Sequence, residues 1–498
     1  MRGFRIPLTL ALAAIVGFAA QRLATVEAER PPERGNLLAP DAVDPERVTR
    51  IELTRGAETF RFEYRADGWW QTAPIAHAVD GWSMRQLVQR ALKAESLRHS
   101  VATGADGPGS LAAVGLAPAA GRLRIVEGTA PDAAGAPRAI EIEFGRRSLA
   151  GRAFARVVEG ERGGAGADAD ADADVDADAE SGGADRARYD VIDGALHEFA
   201  LDRDVREFRR RELFPGIEEI DRIELSAGSS TTVIVRSGRN YVVESPIKTR
   251  ADREACLELV DAIKRARSAG FVTDAPSDLS VYGLAPAAAN LRISGPGATR
   301  SLSIGAAVAI GSQDRFALVD GTVSVVRVPA AVIAGIAPRA SRLIDATATD
   351  ARPADVGAID IRAGASILSL TRELEGWRGN EQLDSGDARP GAVDAAAVER
   401  LLLALCSTRA TEIEIGAYPV DRELVVITLR GFAGEVIETV RVARDAAGSG
   451  FLFENGDRVL RRHGAIDLPL TAADLGFVAQ PGAAPAPATP GARSTSGG

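Results

Sequence analysis

Apolar residues fall into two alternating rhythms along this chain, and the switch between them marks out its elements. VTRIELTR (48–55) and TFRFEYR (59–65) place apolar side chains at every second position on either side of Gly56-Ala57, the pattern of a β-hairpin. Trp69 opens a further short strand, Pro74 breaks it, and Asp80 stands where a carboxylate can accept hydrogen bonds from the free amides of a helix's first turn. The period then changes. Met84, Leu87, Val88, Ala91 and Leu92 follow helical spacing and define one buried face.

The same order returns twice. Tyr241, Pro246, Asp252, Cys256, Leu259, Val260 and Ile263 lie in register with the first set, each displaced by the same number of residues from its counterpart. A third set has Trp377 in the strand, Asp394 as the cap, and Val398, Leu401, Leu402, Leu405 and Cys406 as the stripe, without a proline after the tryptophan. After the helix come Val114-Gly115-Leu116-Ala117-Pro118, Tyr282-Gly283-Leu284-Ala285-Pro286 and, more faintly, Gly416-Ala417-Tyr418-Pro419. Alternating runs follow each: RLRIV, AIEIEFG and FARVV; NLRIS, SLSIG and FALVDG; LVVITL, VIETVRV and FLFENG. Each copy should close with a short helical piece, near 195–201, 329–336 and 471–476.

These patterns predict an α+β protein of three tandem repeats, each an antiparallel β-sheet made of a hairpin, an amphipathic helix and a β-meander. The repeats span 48–212, 213–345 and 346–478. Ahead of them, residues 1–26 form a hydrophobic helix: Arg2 and Arg5 precede an apolar run from Ile6 to Ala20, and the basic side fixes the N-terminus in the cytoplasm. Hydropathy favours an uncleaved anchor over a cleaved signal, so the body is expected in the periplasm or cell exterior. Residues 27–47, rich in proline and charge, read as a stalk linker. The low-complexity acidic insert 163–185 and the Pro/Ala/Gly/Ser tail 479–498 read as disordered.

Composition narrows the chemistry. A net charge of −10 argues against a nucleic-acid partner, and three lysines against 56 arginines suit codon bias better than phosphate binding. Cys256 and Cys406 occupy helix-stripe positions and read as small core hydrophobes. His77, His99, His197 and His463 share no spacing and form no metal or triad pattern. Ser245-Pro246-Ile247-Lys248 matches the S-x-x-K of serine–lysine acyltransferases, but Pro246 places it in a turn and no SDN or KTG follows. Asp168, Asp170, Asp172, Asp174, Asp176 and Asp178 could gather calcium, yet the glycines and terminal glutamate of known calcium loops are missing, so a solvated loop is the reading. No catalytic, cofactor-binding or metal-binding residue is assigned. Trp69 and Tyr241 are read as core, Trp70 and Trp82 as exposed candidates for stacking on sugars, and Arg206, Arg209, Arg210 and Arg211 as a solvated face or a surface for an acidic partner.

The hairpin, the Asp-capped helix, the Tyr-Gly-Leu-Ala-Pro turn and the strands after it, behind one hydrophobic segment, resemble the bacterial domain of unknown function 4340 family. That resemblance implies an envelope protein with a single membrane segment, often encoded beside ABC-transporter components. The function it implies is a non-enzymatic inner-membrane accessory or adaptor contacting an ABC-transporter-type complex. The alternatives are a polysaccharide-binding envelope module and an envelope hydrolase whose site the sequence does not display.

Overall fold

A computed structural model describes residues 35–39, 41–102, 107, 109–128, 138–148, 151–159, 188–383, 385 and 387–480. The expected membrane segment 1–26, the acidic insert and nearly all of the tail lie outside the described residues. Among the described residues no helix is long and apolar enough to cross a membrane. The chain divides into two compact units, Met1–Arg211 and Glu212–Gly498.

The architecture is α+β and mostly β: three antiparallel sheets of ten, nine and ten strands, the first in the first unit and the other two in the second. In the first sheet Val48–Arg55 pairs with Glu58–Arg65 across the two-residue turn Gly56-Ala57, with Gly56 at φ 56°. The opposite edge of Val48–Arg55 pairs with Gly121–Glu127, which begins the meander. Helix α1 (Gly81–Leu92) buries Met84, Leu87, Val88 and Ala91 against this sheet. In the second sheet α2 (Arg253–Arg265) buries Cys256, Leu259, Val260 and Ile263, and in the third α3 (Ala395–Cys406) buries Val398, Leu401, Leu402 and Leu405.

All three helices start in the same way. Asp80 accepts hydrogen bonds from the Trp82 and Ser83 amides, Asp252 from Ala255 and Asp394 from Ala396. The backbone amide of each aspartate donates to a carbonyl in the segment that closes its own sheet: Asp80 to Phe208, Asp252 to Leu343 and Asp394 to Leu475. All three acceptors are buried residues.

The Gly-Leu-Ala-Pro turns need glycine twice over. Gly115 and Gly283 sit at φ 74° and 63°, and a Cβ on them would lie 2.9 Å from the Arg146 amide nitrogen and 2.8 Å from that of Ala306. The strand passing beneath is glycine as well: a Cβ on Gly145 would come within 2.3 Å of the Val114 carbonyl oxygen, and one on Gly305 within 2.2 Å of that of Tyr282. Backbone therefore packs directly on backbone.

Three features depart from the sequence reading. The strands directly after the helices, Glu95–Val101, Gly270–Asp274 and Glu412–Ile415, were not anticipated; each crosses to pair at the far side of its sheet, so the order is not a plain hairpin followed by a meander. The described part of the proposed linker is packed, not a stalk: Gly35–Asn36 pairs with Glu95–Val101, and Leu38, Ala42 and Val43 are buried. Their few apolar positions were masked by surrounding prolines and charges. Finally, Thr471–Gly476 forms turns instead of a helical piece, its start tied by Asp474 accepting from the Leu470 and Thr471 amides.

Candidate functional site

A polar cleft of about 830 Å³ in the second unit lies where its two sheets meet, lined among others by Tyr241, Arg250, Asp252, Asp345, Thr347 and Arg409. It is built from short pieces of each sheet. Thr249–Arg250 forms an edge strand of the second sheet, Ala251 bridges to Ile344, and Thr347 bridges to Arg409 just beyond α3. Under it Val243, Ile344 and Val459 make a small apolar cluster.

Two arginines organise the polar groups. The Arg250 guanidinium donates to both carboxylate oxygens of Glu438 (2.9 and 3.0 Å) and to the Thr347 carbonyl (3.0 Å), with the Asp345 carboxylate 3.3 Å from Nε. Glu438 also accepts from the Thr349 hydroxyl, the Asp350 amide (3.1 Å) and the Asn455 side chain (2.7 Å). Arg461 is wholly buried. It donates to the Asp345 carbonyl (2.9 Å), to Asp457 (2.8 and 3.2 Å), to Asn455 Oδ1 (3.3 Å) and to the Thr249 hydroxyl (3.4 Å). Burial pulls the Asp457 carboxyl upward, but the Arg461 hydrogen bonds and charge, with the Thr249 hydroxyl, outweigh it and hold it below its ordinary value. At the rim, Arg409 pairs with the helix-capping carboxylate of Asp252.

These partners satisfy most of one another's polar atoms; Arg250 Nε faces the Asp345 carboxylate without a hydrogen bond. Such a cluster ties two sheets into one arrangement. Sequence reasoning missed it, although one signal was present: in Val459-Leu460-Arg461-Arg462-His463 the inward phase of a strand carries Arg461 and His463 where apolar residues belong.

The residues weighed from sequence are scattered. Ser245 ends a strand with its hydroxyl donating to the Thr231 carbonyl (2.9 Å), and Lys248 is exposed in the next turn. Burial pushes the thiols of Cys256 and Cys406 up to about 12 and about 11, the behaviour of core side chains. His463 is buried with neither ring nitrogen hydrogen-bonded, and burial, helped by the Arg461 charge, lowers it to about 4. His197 contacts the Gly145 carbonyl, whereas His99 lies exposed beside Asp190. Among the described residues no group of three or more His, Cys, Asp or Glu side chains is placed to hold a metal ion.

Trp69 is buried and Tyr241 half-buried, its hydroxyl donating to the Ile220 carbonyl (2.9 Å). Trp82 is exposed, but Trp70 is half-buried, with Nε1 on Asp67 and Arg65 over its ring. The arginine run is not one solvated face: Arg209 is buried with Nε on Gln71 Oε1 (3.1 Å), because the segment after Phe208 bridges to Val79 inside the first unit.

The cleft-bearing unit is also where the chain meets a known family. Residues 242–423 match the domain of unknown function DUF4340. The DUF4340 match starts in the strand that carries Val243, takes in Arg250 and Asp252, and runs through the whole of α3 to Glu423. The resemblance drawn from the sequence thus holds for the middle of the chain. No curated protein and no solved structure matches the chain.

Proposed function

We propose that the chain is built from three tandem copies of one unit and serves as a non-enzymatic accessory or adaptor protein of the bacterial envelope. In this reading residues 1–26 anchor it in the inner membrane, the body lies in the periplasm or cell exterior, and it works by contact with a membrane complex of ABC-transporter type. The observation that carries the reading is the joint between the two sheets of the second unit: of the charges lining its large cleft, Arg250 is paired with Asp345 and Glu438, and Arg409 with Asp252. A rigid double sheet presents surface, which suits recognition. The three matching Asp caps, each tied to its own closing segment, support the repeat, and the envelope setting rests on the hydrophobic segment 1–26 and on what the resemblance to the family implies.

The test is in-cell crosslinking of the anchored protein in its native host, followed by identification of the captured proteins. Recovery of transporter subunits is the expected result. Recovery of no membrane protein, together with glycan retention that Trp82→Ala abolishes, would replace the adaptor with a sugar-binding module. A reporter active only in the cytosol, fused after residue 478, checks the topology independently and should stay silent.

A further inference from the structure

The first and second sheets treat one corner of their inner face differently. In the first, Arg55 pairs with Glu58 at the hairpin end and with Gly121 on the other side; in the second, Ala227 pairs with Ser230 and Ala289 at the corresponding place. Next along, Leu53 faces Phe60, where Leu225 faces Thr232. The first corner is filled: the Arg55 guanidinium donates to the Ala200 carbonyl (2.9 Å) and to that of Arg203, lies over the Phe60 ring, and Leu201 covers Gly121. Counted from the first helical residue of each closing helix, Gly194 and Ala330, Ala337 stands where Leu201 stands.

Arginine, phenylalanine and leucine in the first sheet are thus alanine, threonine and alanine in the second. The cover is lost. Leu53 is wholly buried whereas Leu225 is only partly so, and a groove of about 450 Å³ lies open between the second sheet and the helix Ala330–Ile336. Its floor includes Leu225, Ala289, Ile304 and Ile333. Arg315 and Arg339 also line it, and among the described residues neither enters an ion pair. Size, an apolar floor and a few placed polar groups are the attributes of a small-ligand site, and a planar guanidinium is matched to a carboxylate.

We propose that this groove binds one fatty acid, its acyl chain along Leu225, Ile304 and Ile333 and its carboxylate between Arg315 and Arg339. The test uses the full chain in phosphatidylcholine vesicles and a fatty acid carrying a photoactivatable diazirine, with adducts mapped by mass spectrometry. Adducts should fall on the segments 225–232 and 333–340. Ala337→Leu, which restores the side chain that fills the first corner, should cut labelling at least tenfold; Ala227→Arg provides a second filled variant, and thermal unfolding verifies that each is folded. The methyl ester should label several-fold less than the acid, and that difference should vanish in Arg315→Gln/Arg339→Gln. Equal labelling of the filled, folded variants, or adducts elsewhere, overturns the site; an ester that labels as well as the acid overturns the carboxylate.

Discussion

Arg461 and His463 sit two residues apart on one strand, both buried and both on its inward phase, yet their surroundings are opposite. Arg461 faces the joint between sheets and meets acceptors from Thr249, Asp345, Asn455 and Asp457. His463 faces the interior of the third sheet, edge-on to the Phe453 ring, with both nitrogens lacking a hydrogen-bond partner. Burial by itself does not decide what a polar group does for stability. A charge with a full set of partners ties the structure together, while an unpartnered neutral ring carries a desolvation cost that only its packing offsets.

The helix stripes hold neither kind of polar group. Leu259→Asp would bury a carboxylate among Cys256, Ile263 and Leu291, and should destabilise the second unit by more than about 4 kcal/mol, read by denaturant unfolding. Leu87→Asp should do the same in the first unit. Next in size, Arg461→Met should cost about 3–5 kcal/mol because it strands Asp457 and the Asp345 carbonyl. A loss below about 1 kcal/mol would mean that the arginine partners are replaceable by water and that the joint is not what unites the two sheets.

His463→Leu should move the other way, stabilising by about 1–2 kcal/mol near neutral pH by removing two unsatisfied nitrogens. The pH response sharpens this. Folding lowers the His463 value to about 4, so the unfolded chain takes up the proton first as acid is added. Above the unfolded value the ring is neutral in both states and adds no pH dependence; as pH falls from about 6.5 toward 4 only the unfolded chain gains the proton, and stability drops by about 3 kcal/mol in all. His463→Leu should remove that slope from the unfolding curve; an unchanged slope would assign acid sensitivity to the carboxylates. The smallest effect is expected at the rim. Arg409 is mostly exposed, and Asp252 keeps its bond from the Ala255 amide, so Arg409→Ala should cost no more than about 1 kcal/mol.

Elements with one apolar face were legible because burial writes its period into the sequence: the hairpins, the three capped helices and the meander strands all stand where alternation or helical spacing places them. Glu95–Val101 and Glu412–Ile415 were not, since strands that are largely exposed need no apolar alternation. The joint was harder still. Thr249, Asp345, Glu438 and Arg461 are far apart in the chain and meet only because two sheets meet, and no local spacing records such a meeting.

The bond from the Asp80 amide to the Phe208 carbonyl also has a temporal meaning. It joins the start of a helix to nearly the last residue of the first unit, so that unit is a closed ring in sequence, complete at Arg211. Closing so long a ring makes its final step slow relative to the local hairpin and helix, because the ordering cost of distant ends must be met first. On a ribosome, however, that step waits only for Phe208 and its neighbours to emerge, and the first unit can finish folding while the second is still being made.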